Sequence, residues 1–215
     1  HKTITRNGKQ MTIFQLWSPV RAMAIYVKLQ LPLRTYQVRM IDSGEADTWR
    51  YQQGQWQQNN KHNFSMGSDG RPFGKGVFKR IHDSMTGLYS TGLYINTNKT
   101  ADQNKEEIQR GYTIPWQHEE ALYWLEKLRN WQEKYNPIEK PTSCTTLLAK
   151  HTRDLKSSTQ LEQMGDICFL FRDAAASNNE DKVKPISDAP LFPFWYQLLL
   201  TLENSLAAQS NTLDN

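Results

Sequence analysis

Pro19 and Pro32 bracket a segment in which Val20, Met23, Ala24, Val27 and Leu31 recur at helical spacing. This bracket admits little except one amphipathic helix. Ser18 is a favoured cap, a proline at the first helical position sacrifices no hydrogen bond, and Pro32 cannot extend the ladder. The spacing predicts a helix from Ser18-Pro19 to about Leu31, then a short helix over Thr35 to Ile41 that stops at Ser43-Gly44. A longer helix is predicted over His118 to Tyr135, where Ala121, Trp124, Leu125, Leu128, Trp131 and Tyr135 form a stripe. Between these helices the pattern becomes strand-like at Thr48 to Trp56, with Gly54 near a turn, and again at Gly92 to Thr97 and Gly111 to Trp116. The fold class that follows is α+β, mainly helical with a small antiparallel sheet.

The flanks are less regular. Residues 1–17 read as a polar stub or linker before a body spanning 18–215, with insertions near 57–87 and 137–190. The first insertion holds Gly67-Ser68-Asp69-Gly70-Arg71-Pro72-Phe73-Gly74-Lys75-Gly76, followed by Lys79 and Arg80. It lacks the strand-to-helix pattern ending in Gly-Lys-Ser/Thr, which argues against a nucleotide-binding P-loop. Two readings stay open for it: an arm packed on DNA phosphates through Lys75, Lys79 and Arg80, or a surface insertion. In the second insertion, Cys144 to Leu161 includes a short helix, Ile167 to Arg172 a buried strand or turn, and Ala174 to Pro190 a polar linker. A closing helix starts near Pro193, and its Leu198, Leu199, Leu202 and Leu206 read most simply as core.

Charge divides the chain. Residues 1–100 carry 14 Lys and Arg against 5 acids, a balance of +9, whereas residues 101–215 carry 12 against 17, a balance of −5. A basic half suits phosphate neutralisation and counterion release, and a solvated surface with a chance skew is the bland alternative. Seven Trp among 215 residues argue for a folded core rather than a disordered polymer. Cys144 and Cys168 form no metal-ligand pair, and two thiols fit a reducing compartment better than a disulfide scaffold. No apolar run reaches the length of a membrane span.

One stretch carries a family resemblance. In Leu29 to Arg50, LQLPLRTYQVRMIDSGEADTWR, the triplet Pro32-Leu33-Arg34 is followed by Gln37 and by Glu45 and Asp47 ahead of a Trp-containing strand. This resembles the first arginine box of the tyrosine recombinases, the phage-integrase family, with Pro in place of Gly and Gln in place of the usual Glu. The elements that follow the box keep the family's order: a strand, the Asn98-Lys99-Thr100 turn, a return strand ending Thr113-Ile114-Pro115-Trp116, then a helix. The resemblance runs over roughly residues 12 to 136. The family's His-x-x-Arg helix and Tyr nucleophile have no counterpart here, since His151-Thr152-Arg153 has the wrong spacing. The chain therefore reads as a partial catalytic domain, inactive alone, from a larger protein.

The resemblance implies a bacterial or phage-derived cytoplasmic enzyme that cuts and rejoins duplex DNA through a phosphotyrosine, acting as a homo-oligomer without cofactor, metal or membrane. It casts Arg34 and Lys99 as catalytic. Arg34 would hold two phosphate oxygens with its planar fork, and Lys99 would donate a proton to the departing 5′ oxygen. Each has a structural rival: Arg34 as a helix cap or a partner of Glu45 or Asp47, Lys99 as a solvated turn residue, and Arg39 as the true active arginine. A non-catalytic DNA-binding or regulatory module on a degraded recombinase fold is the alternative function, and a protein-interaction domain with an incidental basic face is a third.

Overall fold

The computed structural model describes residues 2–14, 16–64, 73–98, 102, 104–106, 109–116 and 118–213. Their architecture is α+β, with small antiparallel sheets packed among helices. The chain opens with a hairpin of β1 (Lys2–Arg6) and β2 (Lys9–Ile13) where the sequence reading expects a polar stub. Asn7 and Gly8 turn it with φ of 51° and 73°. Asn-Gly is the favoured pair for such a turn, so the signal was present in the sequence.

Helix α1 (Val20–Gln30) buries Val20, Ala24 and Val27, with Pro19 rather than Ser18 at its cap. Leu31 turns extended ahead of Pro32, as steric exclusion before a proline requires, and α2 (Thr35–Arg39) follows. The expected strand over Thr48 to Trp56 is a hairpin instead: β3 (Trp49–Gln52) folds back on β4 (Gln55–Gln58). Gln53 and Gly54 both take positive φ, 51° and 80°, the geometry that reverses a strand in two residues. The main sheet has the order β5 (Phe78–His82), β6 (Tyr89–Ile95), β7 (Tyr112–Ile114), all antiparallel. Its register aligns Phe78, Leu93 and Ile114 across one buried face.

Helix α3 (Glu119–Tyr135) runs close to its expected limits, capped by His118, whose ring nitrogen accepts the Ala121 N–H. Its inward face differs from the expected stripe. Trp124 and Tyr135 are 40% and 48% exposed, whereas Leu122, Arg129, Gln132 and Glu133 are buried beside Ala121, Leu125 and Leu128. The rotation has a cause: α3 packs against backbone that needs donors. Gln132 donates to the carbonyls of Leu170 and Arg172, and Arg129 donates to that of Tyr51.

The last third holds β8 (Thr142–Ser143), α4 (Ala149–Thr152), α5 (Ser158–Met164), β9 (Asp166–Ile167), α6 (Asn179–Lys182) and α7 (Leu191–Leu213). Cys168, Phe169, Leu170 and Phe171 lie fully inside, in line with the buried segment expected at 167–172. The expected polar linker over 174–190 is folded: it carries α6, and Ile186 is buried while donating to the Phe171 carbonyl. The core reading of the terminal leucines needs correcting, because Leu198, Leu199, Leu202 and Leu206 are 39–55% exposed. Leu191 enters the core and α7 touches α1.

At the centre sits a buried ion pair. Arg172 bonds Glu45 through Nη1 at 2.6 Å and Nη2 at 3.2 Å, and both side chains are fully enclosed. Arg172 also donates to the carbonyls of Asn136 and Phe169, and Ser43 donates its hydroxyl to Glu45. The pair thus links the loop after α2 to the loops after α3 and β9. Replacing Arg172 alone by Met should destabilise the fold by about 3–5 kcal/mol, because Glu45 is left charged in a dry interior. Adding Glu45→Gln should recover a large part of that loss in urea denaturation; strictly additive losses would contradict this role.

Candidate active site

Arg34 is the exposed residue at the N-terminal cap of α2, with φ −70° and ψ 149°. Its guanidinium makes no hydrogen bond or ion pair among the described residues. The geometry around it is set by Gln37, which is buried. The Gln37 carbonyl oxygen accepts the Arg34 backbone N–H at 3.0 Å, and its amide nitrogen donates to the Thr97 carbonyl at 3.2 Å and the Tyr112 hydroxyl at 3.3 Å. Thr97 lies where the chain leaves β6, and Tyr112 opens β7. One side chain therefore fastens the start of α2 to both legs of the β6–β7 hairpin. Lys99 itself lies outside the described residues.

The hairpin turn is closed by Asp102. Its carboxylate accepts the backbone N–H groups of Asn98 and Gly111 and pairs with Lys105 at 3.2 Å. Burial pushes its pKa up, but the Gly111 and Asn98 amides and the Lys105 ammonium outweigh that and hold it below the usual carboxylate range. Gly111 has φ +80°, and an added Cβ would come within 2.3 Å of the Ile95 carbonyl oxygen, so only glycine serves there.

The sequence rivals for Arg34 find other employment. Arg39 is fully buried and donates to the carbonyls of Ile186, Lys150 and His151. Glu45 is held by Arg172, and the Asp47 carboxylate accepts the N–H groups of Lys75 and Gly76 at 2.9 Å each. His151 is buried with its Nδ1 accepting the Leu148 N–H, and burial first, then Lys150, lowers its pKa to about 4. It serves the fold rather than a site.

The three expected DNA-binding cations do not form one patch. Lys75 and Lys79 line a cavity of about 1070 Å³ that also reaches Thr97 and Tyr112. Arg80 points to the opposite face of β5, its guanidinium 3.8 Å from the Tyr89 ring centre and 5.1 Å from that of Trp49. Residues 65–72 of the adjoining glycine-rich stretch lie outside the described residues. Its far end is anchored at Gly76, where an added Cβ would meet Gly44 Cα at 2.4 Å and an Asp47 oxygen at 2.6 Å. Sequence reasoning missed Gln37 as a tether, Tyr112, Asp102 and Arg110. Only Gln37 carried a signal, its fixed place three residues after Arg34.

Among the described residues, the group that could hold a metal is Glu45, His62 and Glu133, whose ligand atoms lie within 4.8 Å of one another. Their charge is already matched by Arg172 on Glu45, and by Arg50 and Lys61 on Glu133, which makes an ion-pair network of the cluster. Cys144 and Cys168 are buried free thiols; burial raises Cys144 to about 12 and Cys168 well above its ordinary value, so neither suits a nucleophile. Among the described residues no helix is long and apolar enough to cross a membrane.

The family model described as "Putative integrase" matches residues 1–145, about two thirds of the chain. No curated protein and no solved structure matches it.

A second buried carboxylate sets a pH response. Asp42 accepts the N–H groups of Gly44 and Cys168, yet desolvation, reinforced by Asp47, raises its pKa to about 7. A raised folded-state pKa contributes stability that is full below the unfolded value near 4 and is lost as pH climbs through 7. Between pH 5 and 8 the protein should therefore lose stability with a slope of up to about 1.4 kcal/mol per unit. Asp42→Asn should flatten that slope in denaturant titrations, and an identical slope in the variant would contradict the assignment.

Proposed function

Since the chain belongs to the putative integrase family over residues 1–145, we propose that it supplies the first part of a tyrosine recombinase catalytic site, acting on duplex DNA. The family gives DNA recombination in general. The observation that supports the finer reading is the Gln37 tether, which holds the Arg34 end of α2 against Thr97, two residues before Lys99. In this reading the two residue types needed at one phosphate meet at a common edge, although 65 positions separate them.

In this reading Arg34 presents its fork to two nonbridging oxygens of the scissile phosphate. The guanidinium keeps its charge throughout and stabilises the charge that grows as a nucleophile adds. A tyrosine oxygen from outside these 215 residues attacks phosphorus, the P–O5′ bond breaks, and the Lys99 ammonium gives its proton to the departing 5′ oxygen. The phosphodiester is kept as a phosphotyrosine, so the reverse attack by a 5′ hydroxyl reseals DNA without ATP. Lys75 and Lys79 face the adjoining cavity and place backbone phosphates, while the stacked Arg80 adds charge from the other face of β5. The full-length enzyme is proposed to work as a homo-oligomer on DNA, with no cofactor.

In the full-length enzyme Arg34→Ala should slow strand cleavage by at least about 100-fold, the range for loss of a preorganised charge-stabilising group. Lys99→Ala should be slow on an ordinary duplex and recover selectively on one with a bridging 5′ thiolate, whose leaving group needs no proton. Residues 1–215 alone should give no covalent adduct with a suicide duplex. Parental rates in both variants, with normal folding, would leave a DNA-binding module as the better account.

A further inference from the structure

The cavity beside the tether has two kinds of wall. Met40, Met164, Ile167 and Phe73 give an apolar side, while Lys75, Lys79 and Arg110 face it with three cations against one acid, Glu106, among the described residues. Its volume, about 1070 Å³, suits a ligand the size of a nucleotide or somewhat larger. A double helix, whose major groove alone is about 12 Å wide, cannot enter it.

Two buried polar atoms in this wall lack partners among the described residues. Arg110 is only 8% exposed, and its Nε donates to the Lys105 carbonyl at 2.9 Å, but its Nη2 has no acceptor. Asn96 donates from its amide nitrogen to the Met40 carbonyl at 2.6 Å, leaving its amide oxygen without a donor. Leaving such groups unmade is costly, and a charged donor is costlier than a neutral one. A phosphate provides what Arg110 lacks, and an exocyclic amino group provides what Asn96 lacks. Lys79 adds a second positive charge on the same side, its ammonium 5.3 Å from the centre of the Tyr94 ring.

We propose that this cavity takes one unpaired nucleotide of a DNA strand, its phosphate bound by Arg110 and Lys79 and its base against the Met40–Met164 wall, where the Asn96 oxygen accepts from an amino group. The choice of DNA as the source rests on the recombinase reading above. Thr97 and Tyr112 also border the cavity, so the bound nucleotide lies beside the phosphate assigned to Arg34. An unpaired base there would mark the point at which strands separate for exchange.

The test uses the 215-residue chain and fluorescence anisotropy with labelled pentadeoxycytidylate, competed by pentadeoxythymidylate, free deoxycytidine monophosphate and inorganic phosphate. Pentadeoxycytidylate should bind, and pentadeoxythymidylate, which has no exocyclic amine, should bind about fivefold more weakly, the worth of one hydrogen bond. Arg110→Gln should weaken pentadeoxycytidylate about tenfold. Should that variant misfold by circular dichroism, Lys79→Gln on the strand surface should weaken it severalfold. Unchanged affinity in a folded variant overturns the site. Competition by free nucleotide or inorganic phosphate as effective as by the strand overturns the choice of occupant. Duplex binding without pentadeoxycytidylate binding defeats this inference but leaves the recombinase reading standing. Arg110-dependent pentadeoxycytidylate binding without duplex binding does the reverse.

Discussion

Everything proposed for this chain depends on how Gln37 spends its hydrogen bonds. An amide has an acceptor at one end and donors at the other, and here the acceptor caps Arg34 while the donors reach Thr97 and Tyr112. A carboxylate at the same position could satisfy the Arg34 N–H but would face the Thr97 carbonyl with like charge. Gln rather than Glu at position 37 thus suits a buried site whose partners across the gap are oxygens. Because the amide is buried, each bond is made in a medium where leaving it unmade is expensive, and the two elements are held in register.

The scaffold beneath this contact relies on charge to an unusual degree. Arg39, Arg129 and Arg172 rank among the largest fully buried side chains, each occupied with backbone carbonyls or a carboxylate. Burial lowers the pKa of Arg129 to about 10, and its ring contact with Phe78 at 4.8 Å makes up part of the lost hydration. Such groups add little net stability over apolar residues of equal size, yet a misplaced loop leaves a charge unpaired. In a fold whose loops carry much of the structure, that penalty fixes the path of the segments after α2, α3 and β9.

Local pattern revealed the elements whose order is local. The helix between Pro19 and Pro32, the extent of α3 and the strand pair β6–β7 follow from capping, periodicity and turn residues within one element. What escaped depends on contacts made far along the chain. The inward face of α3 turned toward Arg129 and Gln132 because carbonyls of Tyr51, Leu170 and Arg172 needed donors there. The reversal at Gln53-Gly54 was half legible: Gly54 marked a turn, but Trp49, Tyr51 and Trp56 read as parts of one strand. The candidate site divides the same way: Arg34 was proposed from its triplet, whereas Asp102 and Arg110 sit in a polar connection with no pattern, and their contacts form only when β6 and β7 pair.

The most direct test is a distance across the tether in solution. With Cys144 and Cys168 buried, Arg34→Cys and Asn98→Cys can be introduced together and treated with a short bis-maleimide, and the products mapped by mass spectrometry. The account expects an intramolecular cross-link between positions 34 and 98 that forms readily in the otherwise unaltered chain and is strongly reduced when Gln37→Glu is added. Absence of the link in the folded double variant, or equal yield with and without Gln37→Glu, would show that α2 and the hairpin are not held together by this residue.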